Sequence, residues 1–290
     1  MNRRRRINSG YLFVAPSMLV IAVFVIGPIL QALWMSVHDW SFVAPETPFV
    51  GLANYRELAG DDRFWNALTV TAVYTLGSVP VQILLALAVA LALNERLRAL
   101  TWFRAAFFFP VISSLAVMAI VWRFLLDPDI GLLSHWLSQL GVGPTDWLQS
   151  TTWALPAVIG VGIWKNLGFT MVILLAGLQG VPETYYEAAA IDGAGRWARF
   201  RHITLPGLRQ TMLFVTVIGV IASLQAFDQI YVMTRGGPLF TTETLVSYMY
   251  HQAFDLFRMG YAAAIAWVLF VIIMVGSAVQ LRLFRYQDVD

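Results

Sequence analysis

The sequence predicts an all-α, polytopic membrane protein: a bundle of six transmembrane helices in one domain, residues 1–290. Three observations carry this. Only 12% of the residues are charged and 59% are hydrophobic, with a mean hydropathy of +0.68, whereas a soluble domain carries about 25% charged residues. Six apolar runs reach the roughly 20 residues that a helix needs to cross a hydrocarbon core about 30 Å thick. Polar residues fall mainly between those runs, without the ten-residue alternation of barrel strands. In lipid each backbone N–H and C=O must be paired within the segment, so the runs are helices. Cysteine is absent, which excludes disulfides, thiolate nucleophiles, iron–sulfur clusters and cysteine zinc sites.

The first run, 11–37, follows the tail MNRRRRINSG at 1–10. It is longer than the 7–15 residues of a secretory signal core, so it reads as an uncleaved first helix. The second run, 67–93, carries Thr71, Tyr74, Thr75, Ser78 and Gln82 on one helical stripe. Such a stripe either joins two helices or walls a wet pathway. The third run is 103–126. Pro80, Pro110 and Pro156 lie in or at the start of spans, where each removes a helix hydrogen bond and can bend the helix.

The fourth run, 153–178, holds Lys165 and Asn166 among Gly160, Gly162 and Gly168. An uncompensated lysine at mid-membrane costs about 2.5–3.5 kcal/mol on insertion scales, so it must meet a partner, a cavity or water. The fifth run, 207–231, ends with Gln225, Asp228 and Gln229 on one face. Asp228 is the favoured partner for Lys165, since buried charges usually pair; the alternative is that this face binds a hydroxyl-rich solute. The sixth run is 260–283. Thr71, Thr75, Ser78, Lys165, Asn166, Gln225, Asp228 and Gln229 are therefore the candidate substrate-pathway residues.

Orientation follows from the 18 arginines and single lysine. Thirteen lie in the N-terminus, the 94–104 loop, the 179–209 loop and the C-terminus, against four (Arg56, Arg63, Arg235, Arg258) in the other loops. Basic residues favour the cytoplasmic side, which predicts N-in/C-in topology. Trp34, Trp40, Trp65, Trp122, Trp147 and Trp153 gather near the opposite ends of the spans, where amphipathic rings prefer to lie. The basic residues form no nucleic-acid patch.

The cytoplasmic segment 179–206 reads as two short helices. Pro182 and Glu183 open the first, and Asp192-Gly193 stops it. In the second, Trp197, Phe200 and Ile203 recur every three residues, with Arg196, Arg199 and Arg201 on the remaining faces. One reading is an amphipathic helix on anionic lipid. The alanines and the glycine break favour the other, a surface docked into a partner's groove. The chain has no G-x-x-x-x-G-K-[ST] loop to cradle nucleotide phosphates.

The stretch EAAAIDGAGRWARFRHITLP, 187–206, resembles the EAA loop of permease subunits in binding-protein-dependent ABC importers. That pattern is E-A-A, three residues, G, nine residues, then I-x-L-P. Glu187, Ala188, Ala189, Gly193, Ile203, Leu205 and Pro206 fall in register, and Asp192 and Ala194 match its extended form. The T-x-G-G-P element (Thr234, Gly236, Gly237, Pro238) and GLANYREL at 51–58 are similar to the carbohydrate-uptake branch, of the maltose/glycerol-3-phosphate-type first permease.

The resemblance implies a type I (MetI-like) permease fold and a coupling helix docked on a cytoplasmic ATPase. Glu187, Ala188, Ala189, Asp192, Gly193, Ile203, Leu205 and Pro206 would form that coupling surface, with Glu187 meeting a basic residue. ATP and magnesium would sit in the ATPase, with no cofactor in this chain, which is no enzyme. Implied partners are a second related permease, two copies of the ATPase, an extracytoplasmic solute-binding protein and the lipid bilayer, with no nucleic acid. The implied location is a bacterial or archaeal plasma (inner) membrane, and the cargo a sugar, related polyol or glycerol-phosphate. A secondary transporter or channel without an ATPase is the rival. It explains the spans and polar stripes but not the EAA spacing.

Overall fold

The computed structural model describes residues 3–43, 46–94, 100–141 and 146–286. Arg96 and Arg98, two charges of the 94–104 loop, lie outside the described residues. Among those described, regular structure is helical apart from an isolated bridge between His38 and Phe49. Five helices are long and apolar enough to cross a membrane, and six if one bent pair counts as a span. The chain falls into two compact units.

The first unit comprises residues 1–62 and 249–271. Its leading helix α1 (Arg3–Ile21) passes through a π-helical turn, Ala22–Ile26, into α2 (Gly27–Ser36). Most side chains from Phe13 to Leu33 are exposed, whereas at the end of α2 Met35 packs on Ala253, Met259 and Ala262 and Ser36 is buried. The short helix α3 (Ala53–Ala59) finishes the end of α2. Asn54 Nδ2 donates to the carbonyls of Ser36 and His38 at 2.9 and 3.1 Å, and the Tyr55 hydroxyl donates to Ser36 Oγ at 2.8 Å. Carbonyls in the last turn have no partner within a helix, so an outside donor is needed.

The second unit comprises 63–248 and 272–290. In order it holds α4 (Asp62–Leu93), α5 (Leu100–Ile112), α6 (Leu115–Leu125), α7 (Leu132–Gln139) and α8 (Ala154–Gln179). Then come α9 (Glu183–Ile191), α10 (Arg196–Arg199), a π-helical turn Phe200–Thr204 and α11 (Leu205–Gly207). The helices α12 (Arg209–Leu224), α13 (Asp228–Met233) and α14 (Leu245–Tyr250) follow. The π-helical turn His251–Asp255 and the start of the last helix, α15 (Met259–Tyr286), belong to the first unit, and α15 from Ile272 onward to the second. The core joins α4, α8 and α12. Val79, Ile83, Ala86 and Ala90 recur at helical spacing and meet Met171, Leu174, Leu178 and Val215. Ala86 and Ala90 are fully buried, as expected where small residues let helices approach.

Two spans that read as continuous in the sequence are broken. The expected run 103–126 is two helices, Trp102–Ile112 and Leu115–Leu125, bent by 100°. Pro110 lacks an N–H and crowds the preceding turn, and Ser114 is extended at φ −61°, ψ 130°. The fifth span stops at Leu224 and restarts at Asp228, with Phe227 at φ −139°, ψ −59°. Non-helical backbone at membrane depth is tolerated where it is buried in protein or lines a wet cavity.

Candidate functional site

A cavity of about 330 Å³ opens beside the break in the fifth span. Tyr74, Ser78 and Gln82 of α4 form one wall, and Asn166, Phe169 and Thr170 of α8 a second. Ser223, Gln225, Phe227, Asp228 and Gln229 form the third. Restarting the helix at Asp228 puts Gln225, Asp228 and Gln229 on the same concave surface.

The walls are held by side-chain hydrogen bonds both between and within helices. Gln229 Nε2 donates to the Tyr74 hydroxyl at 2.8 Å, and Gln82 Nε2 donates to Thr170 Oγ1 at 2.7 Å. Asn166 Nδ2 donates to the Gly162 carbonyl at 3.0 Å. A Cβ at Gly162 would collide with the Tyr74 hydroxyl, so the glycine makes room for that ring. Ser78 Oγ is buried, borders the cavity and has no hydrogen-bond partner.

The predicted pathway residues divide. Ser78, Asn166, Gln225, Asp228 and Gln229 line the cavity. Thr71 and Thr75 belong to the same stripe but turn to protein. Thr71 Oγ1 accepts the Leu245 N–H at 2.8 Å and donates to the Ala67 carbonyl, and Thr75 Oγ1 accepts from Ser223 Oγ at 3.1 Å.

Lys165 corrects the favoured ion pair. Its Nζ donates to the carbonyls of Pro110, Val111 and Ser113 at 2.5, 2.9 and 2.7 Å rather than to Asp228. These are carbonyls freed by the break in the third span, and a cation suits the negative end of a helix. One turn on, a Cβ at Gly168 would strike the Phe107 carbonyl, so a glycine is needed for α8 to lie this close to the end of α5. Phe169, Thr170, Ser223 and Phe227 did not stand out in the sequence. Phe169 and Thr170 sit three and four residues after Asn166, the spacing that shares a helix face, and that rule would have found them.

A second concave surface, about 490 Å³, lies on the 179–207 segment. Tyr185, Ala188, Ala189, Asp192, Ile203 and Pro206 line it. Gly193 sits at φ +76°. Its N–H donates to the Ala190 carbonyl at 3.2 Å, and the Ala194 N–H donates to that of Ala189 at 2.8 Å. This pair of bonds is the Schellman stop, which requires a left-handed residue at the position of Gly193. The Tyr186 hydroxyl and Thr204 Oγ1 lie 3.0 Å apart and tie the two short helices together. Glu187 is exposed, whereas Leu205 packs on the core of α4, α8 and α12.

The T-x-G-G-P element is a rigid loop. Arg235 and Gly236 have φ of 50° and 84°. Thr242 Oγ1 lies 2.7 Å from Thr234 Oγ1 and donates to the Gly237 carbonyl. Arg63 Nε and an Nη each bond Glu243 at 2.8 Å, and its guanidinium lies 3.9 Å from the Phe240 ring centroid. In the sequence Arg63 reads only as a loop charge, because its partner stands 180 residues away.

A family profile described as binding-protein-dependent transport system inner membrane component matches residues 1–288. The chain is 37% identical over 284 residues to the trehalose/maltose transport system permease protein MalF of Thermococcus litoralis, covering 98% of this chain and 96% of that one. It is 35% identical over 278 residues to the lactose transport system permease protein LacF of Rhizobium radiobacter, covering 94% and 92%. In fold it is similar to a chain of a bacterial ABC transporter that imports the acidic polysaccharide alginate. There the TM-score is 0.85 at 22% identity, covering 97% of this chain and 96% of that one.

Proposed function

The chain belongs to the family of binding-protein-dependent transport system inner membrane components, and from that premise we propose how it works as the permease subunit of a sugar importer. It is a multi-pass membrane protein with the fold of an ABC transporter permease. Its cargo is a sugar or a related polyol or glycerol-phosphate, delivered by an extracytoplasmic binding protein. The relatives named for trehalose/maltose and lactose support that cargo class, and an alginate transporter of this fold in complex with its periplasmic protein supports that partner. A second related permease and two ATPase copies complete the assembly, in a bacterial or archaeal plasma membrane with both termini inside. ATP and magnesium bind the ATPase.

One observation carries the mechanism. The 179–207 surface is spliced between α8 and α12, and those two helices also wall the cavity. Closure of the ATPase pair would push the alanine-lined groove of α9, where Glu187 meets a basic residue. The Schellman stop and the Tyr186–Thr204 contact make the segment stiff enough to transmit that push. Displacement at one end of α8 and α12 then reshapes the cavity along them.

The test is reconstitution. Co-expressed with its candidate partners and placed in proteoliposomes, the chain should copurify with an ATPase and support ATP-dependent uptake of a sugar presented on the binding protein. Uptake that proceeds without the ATPase would favour the secondary transporter.

A further inference from the structure

The cavity has a charge character that bears on which solutes it takes. Among the described residues its lining holds one carboxylate, Asp228, and no basic side chain. The only lysine of the chain is used up on the carbonyls of Pro110, Val111 and Ser113. Asp228 is exposed and has no hydrogen-bond or ion-pair partner among the described residues.

Around it the surface is rich in neutral donors and acceptors. Ser78 is 3% exposed, and its buried Oγ borders the cavity unpartnered. A buried polar atom left unpaired is destabilising, and a solute hydroxyl or water would relieve it. The Tyr74 oxygen accepts from Gln229, so its own hydrogen remains to be donated. Phe169 and Phe227 offer apolar faces beside these groups, suited to the C–H faces of a sugar ring.

We infer that this cavity selects uncharged polyhydroxylated solutes over phosphorylated or uronic ones, and that Asp228 is the residue that turns anions away. The inference rests on reading the cavity as the solute pathway. A carboxylate accepts hydrogen bonds from neighbouring hydroxyls and favours them over anions. In a narrow cleft of low dielectric it repels an anion far more strongly than it would in water.

The chain has no cysteine of its own, so one introduced thiol reports on the site. Ala222→Cys places it at an exposed position of the lining. The assembled transporter in membranes is treated with two water-soluble thiol reagents, cationic trimethylammonioethyl and anionic sulfonatoethyl methanethiosulfonate. Modification is read from the mass of this chain, and each rate is divided by that of the reagent with free cysteine. The cation should react about tenfold faster or more, and adding Asp228→Asn should collapse the ratio towards one. Equal rates, a faster anion, or a ratio untouched by Asp228→Asn would overturn the charge selection and leave the pathway standing. A thiol inert to both reagents, in resting and ATP-bound states alike, would overturn the pathway itself.

Discussion

Lys165 and Pro110 meet across two helices: the Nζ of the lysine donates to the carbonyl at the end of a helix that the proline helps to stop. With the Val111 and Ser113 carbonyls, this makes the lysine a cap from a neighbouring span. Lys165→Met should leave the Val111 and Ser113 carbonyls without this donor and Pro110 with only the Ser113 N–H at 3.3 Å, at about 1–3 kcal/mol for each buried polar group left unpaired. Thermal unfolding of the purified chain in detergent should show a clear loss of stability in that variant. Asp228→Asn should show none. Equal losses would restore the Lys165–Asp228 pair.

The polar stripe of α4 should separate under labelling. Cysteines at 78 and 228 face the cavity and should react with water-soluble thiol reagents, whereas cysteines at 71 and 75 should stay inert. Thr71 is fully buried under α14 and Thr75 is bonded to Ser223. Reaction at 71 as fast as at 78 would contradict this division of the stripe.

At Gly193 the backbone, not crowding, sets the requirement. A Cβ there would meet nothing within 4 Å, but φ is +76°. A left-handed residue with a side chain is disfavoured by roughly 1–2 kcal/mol, least so for asparagine. Gly193→Asn should therefore keep most transport, while Gly193→Val should lose the Schellman stop. Gly193→Asp adds a charge beside the proposed docking groove and should uncouple ATP hydrolysis from uptake. Normal coupling in the aspartate variant would remove the segment from the mechanism.

Arg63 and Glu243 form a two-pronged pair with the acid 3% exposed. Arg63→Ala would strand a buried carboxylate, at about 1–3 kcal/mol after discounting for the solvent-facing side of the arginine. Arg63→Lys should recover only part of this, because an ammonium cannot match both oxygens in the plane of a fork. Protease protection of the 234–244 loop is the readout, with cleavage expected in the order alanine, lysine, wild type.

Much of the molecule was legible in the sequence. Apolar run length located the spans, and the spacing from Glu187 to Pro206 located the helix–turn–helix surface, including the glycine with positive φ. The breaks at 113–114 and 225–227 were not. A hydropathy window averages over a kink, and a span that unwinds inside protein stays as apolar as one that does not. The helical stripe on α4 was visible, but not that it serves two purposes, because which of its members meets a neighbour depends on where α12 and α14 pack. For the same reason Lys165 announced that it needed a partner without naming it. Backbone carbonyls exist at every position and leave no trace in composition.

Gly162 does not border the cavity, yet its missing side chain decides where the Tyr74 ring can sit. Any larger residue there would displace the Tyr74 ring and so reshape the cavity without changing the identity of a single group that lines it. The size of the cavity can therefore drift in descendants of this protein through one hidden position, while the chemistry of its lining stays as it was.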